Sequence, residues 1–465
     1  MSTNRDSQRG NMREISPGFN YDSLSDLRAE VKERGYFVPT GGELDALFQP
    51  GSINGGLTAP NRLCVNPMEG GDADADGGPS TLTFRRYKRY AEGGAGIIWV
   101  EATAVTEGGK GRPRQLHLNE ESVESFSQLV DLIKKSSRFA NVEPGGPVAV
   151  IQLTHSGRQS APRGRPEPVI ARHSDLLEDN SNLSRDYPVI SDAELGELKQ
   201  DFVRAAGLAA RAGFDAVDVK ACHGYLLHEL LTAYESRNSR YRGEFTRRTK
   251  FLLDVLEEIK KEFPKITLAS RLDLYDNIPY PDGWGVSRDG GIEPDLTEPK
   301  RLLSTMEKSG LKMVNVAFGN GYYDPFLERP YDRSTAGGDT PQYSPLEAIS
   351  TNLKLTAEIG ESFPHLFKVG GGISWLREFS PYVAAAMRGG GWVDGIGLAR
   401  IALANPDFAN ELYREGELQG DRLCVTCSCC TQMLEDYVEA GCPVYDGDMY
   451  RETYLKGRRR GKGSK

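Results

Sequence analysis

The chain has 465 residues, of which 38% are hydrophobic and 26% charged, and a formal net charge of −9. That is room for two or three domains, or for one large α/β barrel; the acidic balance argues against a nucleic-acid-binding body, and no run of about 18 apolar residues is present to span a bilayer. The polar N-terminus is not a secretory signal, and seven cysteines, five of them within 424–442, read as metal, redox or reduced thiols in a cytoplasmic protein, not as structural disulfides.

Residues 1–45 lack periodicity until about Asp22 and read as a partly disordered extension carrying a short helix over 22–34. From about residue 57 the pattern is regular. Apolar, β-branched runs alternate with helical stretches. RLCVNPM (62–68) precedes TLTFRRYKRYAEGG, and GIIWVEATAV (96–105) precedes the helical spacing of 119–140. PVAVIQLTHSG (147–157) precedes a helix over 191–213, expected to open on an Asp-bearing cap and to end at glycine. The runs AVDVKACHG, KITLASRLDLY, LKMVNVAFGNG, LFKVGGG and VDGIGLAR follow, each with its helix. Eight strand–helix units with near-continuous apolar strands predict an α/β fold, a (β/α)8 TIM barrel over 46–418, followed by a cysteine-rich segment and basic tail over 419–465. A doubly wound open sheet is the alternative, weakened because no G-x-G-x-x-G opens a helix after the first strand.

In a barrel, polar residues at strand C-termini converge on one mouth. Those ends carry Asn66 to Glu69, Glu101 to Thr103, Gln152 and His155, Lys220 and His223, Arg271, Asn320, Gly370 to Gly372, and Arg400. VGGGIS after the seventh strand and GIGLAR at the eighth read as a phosphate site, because glycines let backbone N–H groups approach phosphate and an arginine closes the clamp. Arg271 is either a barrel ion-pair partner or a cation beside a flavin ring; Gln152 is either a structural hydrogen bonder or the holder of a ring amide.

The stretches LFQPGSINGGLTAPNRLCVNPM, AGIIWVEATAVTEGGKGRP, IQLTHSGR, RAGFDAVDVKACHGYLLHELL with NSRYRGE, SRL, VGGGIS and DGIGLARIALANPDF occur in family order over roughly 47–415. Together they resemble the Old Yellow Enzyme family of FMN-dependent NADH:flavin oxidoreductases and ene-reductases. The resemblance implies that Pro67, Met68, Ala102, Gln152 and Arg271 hold the isoalloxazine, that Gly371, Gly372 and Arg400, with Ala399 in place of a common glycine, hold the phosphate, and that His223 and Tyr225 lie at the substrate site. It also implies NAD(P)H as electron donor and a small-molecule substrate with an activated C=C bond. Flavin N5 would deliver hydride to the β-carbon and Tyr225 a proton to the α-carbon.

Two departures stand out. Lys220 occupies the first position of H-x-x-[HN]-x-Y, where the family has His. For Lys220 and His223 to face one ligand, the strand must end near Cys222 and the backbone must turn, which Gly224 permits. Lysine keeps the carbonyl-polarising donor and favours negative charge on the substrate; the alternative is a core Lys220 paired with Asp218 or another acid. Glu69 follows Pro-Met where a small or hydroxylated residue is common. It either disfavours the anionic reduced flavin or points to solvent.

Cys424, Cys427 and Cys430 follow a C-x2-C-x2-C rhythm, and Cys442 comes twelve residues later. The segment resembles the [4Fe–4S] motif of 2,4-dienoyl-CoA reductases and trimethylamine dehydrogenases; zinc and metal-free reduced thiols are the alternatives, with Cys429 a bystander. Those larger relatives add FAD and nucleotide domains after this motif. With a cluster, electrons would pass to a separate electron-transfer protein; without one, NAD(P)H would reduce FMN directly. Amine oxidation of the trimethylamine dehydrogenase type and a non-catalytic flavin sensor are the other functional readings. Oligomeric state and the choice between NADH and NADPH are not encoded in these motifs.

Overall fold

All eight apolar runs become parallel strands, and they close into one ring. A computed structural model describes residues 18–463 apart from 54–55, 138–145, 182, 235–238 and 337–342. A hairpin, β1 (Gly51–Ile53) and β2 (Leu57–Ala59), precedes β3 (Leu63–Val65), β4 (Ile97–Ala104), β5 (Val148–Thr154), β6 (Ala216–Val219), β7 (Thr267–Tyr275), β8 (Met313–Phe318), β9 (Phe367–Gly370) and β10 (Gly395–Gly397). Each of β3 to β10 pairs in parallel with its chain neighbour, and β10 returns to β3. The fold is a (β/α)8 barrel, and the open-sheet alternative is excluded by that last pairing.

Strands buried on both faces need apolar residues on both, which is why the runs lack alternation. The inward set forms a cluster of Cys64, Ile97, Trp99, Val148, Val150, Ala216, Ala269, Met313 and Val369. Ile53 and Ala59 of the hairpin join it and plug the end where the strands begin. Above this plug, Asp218 sits fully buried and accepts from Trp99 Nε1 at 2.8 Å, Gln152 Nε2 at 2.6 Å and the Arg271 backbone N–H at 2.6 Å. Three strands are thereby tied to one carboxylate.

The helix over Asp192–Ala212 opens on Ser191, whose side chain accepts from Glu194 N, while Glu194 reaches back to Ser191 N at 2.7 Å. The cap is thus Ser191 and not the expected aspartate; a serine three residues before a glutamate makes the reciprocal capping box. The helix ends at Gly213 with φ +94°. In the N-terminal extension, the expected helix spans Leu24–Arg34, and Leu27 and Val38 are buried against the barrel. The disorder expected there concerns residues outside the described set up to 17; from Gly18 onward the extension is packed.

The cysteine-rich segment folds back onto the barrel. Its helices Cys429–Glu435 and Gly447–Gly463 enclose a small core of Met433, Val438, Ala440 and Tyr450. Ala440 N donates to Gly70 O at 2.7 Å, and Arg85 and Arg89 both bond Asp446 at 2.6 Å. No described helix is long and apolar enough to cross a membrane.

Candidate active site at the barrel mouth

Strand β6 stops at Val219, before the point the sequence suggested, and a single extended bridge at Ala221 to Leu272 carries the chain onward. The turn then falls on His223 (φ +61°) as well as Gly224 (φ +72°). A left-handed histidine is costly unless its surroundings hold it. Here His223 N donates to Asp273 Oδ2 at 3.2 Å and Gly224 N to His228 Nδ1 at 2.9 Å. A Cβ at position 224 would stand 2.4 Å from Asn320 Nδ2, so only glycine fits. With the turn fixed, Lys220, His223 and Tyr225 line the same cavity, whose empty volume, mouth included, is about 1500 Å³.

The walls of that cavity come from seven strand ends and the tail. Pro67, Met68, Glu69, Ala102, Gln152, Arg271, Ala399 and Arg400 all line it, as the strand-end pattern implied. Glu101 does not. A register shift in β4 between Val100 and Ala102 turns Glu101 outward, where Arg86 Nη2 bonds it at 2.7 Å and Gly70 N donates to it at 2.5 Å. His155 also faces elsewhere, buried, with its Nδ1 accepting from Gly157 N at 3.1 Å. Gly371 and Gly372 follow β9 but lie outside the lining. A Cβ on Gly371 would stand 3.0 Å from both Asn66 Nδ2 and Gly397 O. Its absence lets the end of β9 approach β10.

Lys220 is not paired with Asp218, whose two oxygens are already occupied. Its ammonium lies over the Tyr225 ring, 3.5 Å from the centroid, an attraction that strengthens when desolvated. Burial lowers the Lys220 pKa. Burial, helped by Arg271 and Lys220, also holds His223 well below the usual imidazole range, so it is neutral. His223 Nδ1 is 3.5 Å from Glu328 Oε1, and its Nε2 is buried without a hydrogen-bond partner. Glu69 does not point to solvent: its side chain is 12% exposed, accepts from Arg112 Nε at 2.9 Å and from Tyr225 Oη at 3.1 Å. Burial and then Glu69 push the Tyr225 phenol well above its usual value.

Two polar groups at the cavity floor are left with capacity to spare. Gln152 gives its amide nitrogen to Asp218, which leaves its oxygen as an acceptor. Arg271 Nε is buried with no partner. At the other end, the Arg400 guanidinium is buried and spends one nitrogen on Pro330 O at 2.8 Å. A flat, amide-bearing ring with an anionic tail fits this sequence of an acceptor, an unpartnered guanidinium nitrogen and a second arginine.

Arg400 also connects the cavity to the cysteines. Its cationic form is favoured by Cys424 and Cys430, though burial is the larger influence and lowers it. Burial, then Cys424 and Cys427, raise Cys430 to about 11; Cys442 is raised by burial and by Cys424, Cys427 and Cys430. The four thiols are therefore neighbours. Among the described residues, no group of three or more His, Cys, Asp or Glu side chains is placed to hold a metal ion. In a [4Fe–4S] cluster each thiolate binds a different iron, a wider arrangement than four ligands around one zinc. Cys429 lies beside Cys427 and Tyr454, which hold its thiol below the usual range.

Sequence reasoning missed Arg112, Tyr322, Glu328 and Arg329, and the tail residues Thr431, Leu434, Glu435 and Tyr437, all of which line the cavity. Arg112 lay in the quoted stretch TEGGKGRP; Tyr322 directly follows the apolar run LKMVNVAFGNG. The tail residues carry no local signal.

The family model for the NADH:flavin oxidoreductase / NADH oxidase family matches residues 46–280. The chain belongs to that family. This NADH:flavin oxidoreductase is 32% identical over 285 residues to an NADPH dehydrogenase of Listeria monocytogenes, covering 58% of this chain and 76% of that one. Among solved structures, an Old Yellow Enzyme homologue from Zymomonas mobilis matches with a TM-score of 0.58 at 22% identity, over 80% of this chain and 94% of the other. A 2-naphthoyl-CoA reductase matches with a TM-score of 0.69 at 19% identity, over 86% of this chain. This chain spans only 57% of that reductase's length. The oxidoreductase is thus an FMN-dependent enzyme that uses NAD(P)H, built on the barrel of its family.

Proposed function

We propose that this enzyme reduces a C=C bond conjugated to a carbonyl group. The observation that carries the reading is the convergence of Lys220, His223 and Tyr225 on one cavity with Gln152 and Arg271. FMN, when bound, supplies two-electron hydride chemistry. Pro67, Met68, Ala102, Gln152 and Arg271 would hold its ring, and Ala399 and Arg400 its phosphate. Gly371 and Gly372, outside the lining, would act by setting the backbone there.

Lys220 and neutral His223 donate to the substrate carbonyl oxygen and stabilise the charge that grows there during reduction. Tyr225 delivers the proton to the α-carbon. All three side chains are largely removed from bulk water, which strengthens each of these interactions. Cys424, Cys427, Cys430 and Cys442 would hold a [4Fe–4S] cluster beside the Arg400 end of the cavity. The mutual influence of the four thiols supports that assignment.

The test is an anaerobic half-reaction study of the FMN-loaded enzyme. NADH or NADPH should bleach the flavin, and an α,β-unsaturated ketone should restore its colour. Tyr225→Phe should slow that second step by about 100-fold with a much smaller effect on the first. A flavin bleached by amines and insensitive to enones would replace this reading with amine oxidation.

A further inference from the structure

Tyr225 is 4% exposed, so reprotonation through a polar neighbour is favoured over direct contact with bulk water. Its hydroxyl has two polar neighbours. Glu69 Oε1 accepts from it at 3.1 Å, while Tyr322 Oη stands at 3.5 Å, beyond ordinary hydrogen-bond length. The Glu69 side chain keeps 12% of its surface exposed and is fixed from behind by Arg112. Its backbone is fixed too, because the next residue, Gly70, donates to the buried Glu101.

We propose that Glu69 is the proton-relay residue of this site, passing solvent protons to Tyr225 each turnover. The assignment rests on the alkene-reduction reading above and names a role for one of the two residues that depart from the family pattern. In the step itself, a hydride adds to the β-carbon, the π pair forms a new Cα–H bond with the Tyr225 proton, and Tyr225 is left as phenolate. That phenolate faces the Glu69 carboxylate across one hydrogen bond. The Lys220 ammonium on the ring face and Arg112 behind Glu69 offset the added charge. A solvent proton taken up by Glu69 then transfers to the phenolate, which restores both groups. The balance per turnover is one hydride from the reduced flavin and one proton from water.

The charged and titratable groups around Tyr225 come from four loops. They are Glu69 after β3, Arg112 after β4, Lys220 after β6 and Tyr322 after β8. Like-charge opposition at this distance raises the proton affinity of the phenol, which makes recapture fast and loss to anything but a strongly basic carbon slow.

The experiment compares wild type, Glu69→Gln, Glu69→Asp and Tyr225→Phe. Glutamine keeps an acceptor for Tyr225 but carries no exchangeable acid proton. It should slow enone-dependent reoxidation by about 10- to 100-fold, at the lower end of a positioned acid's contribution, and enlarge the solvent deuterium effect on that step. Aspartate should recover part of the rate. Independently of turnover, the ultraviolet tyrosinate signal assigned by Tyr225→Phe should titrate about one pH unit lower in Glu69→Gln, because a like charge has been removed. A Glu69→Gln enzyme with wild-type reoxidation rate and isotope effect overturns the relay. So does an unmoved Tyr225 titration. Failure of the wild type to reduce any enone sinks the function above instead, and the titration then still reports on the Tyr225–Glu69 coupling.

Discussion

Replacing Arg86 with methionine should unsettle the cavity from behind. The Arg86 side chain is 4% exposed and its guanidinium holds Asp72 at 2.6 and 3.1 Å and Glu101 at 2.7 Å; the two acids are 0% and 1% exposed. Methionine has similar bulk and no charge, so the perturbation is chiefly the loss of a cation between two buried carboxylates. Removing one partner of such a group costs about 3–5 kcal/mol. With about 2.1 cal/mol/K of unfolding entropy per residue over 465 residues, the chain has roughly 1 kcal/mol/K, so Tm should fall by about 3–5 °C. The pH dependence has a definite sign. Burial already lifts Glu101 to about 7 with Arg86 present, and without the cation both acids keep their protons to higher pH in the folded state. A folded-state pKa above the unfolded value adds stability at low pH that is lost as pH rises through the folded value. The deficit of Arg86→Met should therefore be smaller at pH 6 than at pH 8 in scanning calorimetry. A drop below about 1 °C at pH 8, or a deficit that grows on acidification, would refute the assignment of this cluster as a charge-compensated brace for the Glu69–Gly70 loop.

Arg271→Ala should weaken FMN retention on gel filtration or shift the flavin potential; full retention at an unchanged potential removes Arg271 from the site. Cys427→Ser should abolish iron in anaerobically purified protein, and stoichiometric iron in that variant would reject the four-thiol set. His228→Asn keeps an acceptor for Gly224 N. Since burial lowers His228 to about 3 from an ordinary 6.5, wild type loses stability as pH falls through that window, and the variant should show a flatter acid limb in thermal denaturation. An equally steep limb would show that His228 is not the group being protonated.

The barrel was legible because strands covered on both faces must be apolar throughout, and eight such runs leave few other closures. Strand-end position also located Gln152, Arg271, Arg400 and the Lys220–Tyr225 turn. What escaped were partnerships set by register and long-range contact. Asp218 proved to be the tie between three strands and not the counter-ion of Lys220. Glu101 left the mouth through one register shift in β4. Glu69 found Arg112 and Tyr225, which lie on other loops. The roofing residues Leu434 and Tyr437 belong to a segment whose only readable pattern was the spacing of its cysteines.

That roof has a consequence for how this enzyme can change. Thr431, Leu434, Glu435 and Tyr437 border the cavity and lie between Cys430 and Cys442. Any change in the path of the tail between Cys430 and Cys442 therefore reshapes one wall of the cavity. Substitutions that alter the cysteine spacing and substitutions that alter the cavity border thus fall on one short stretch of chain and constrain each other.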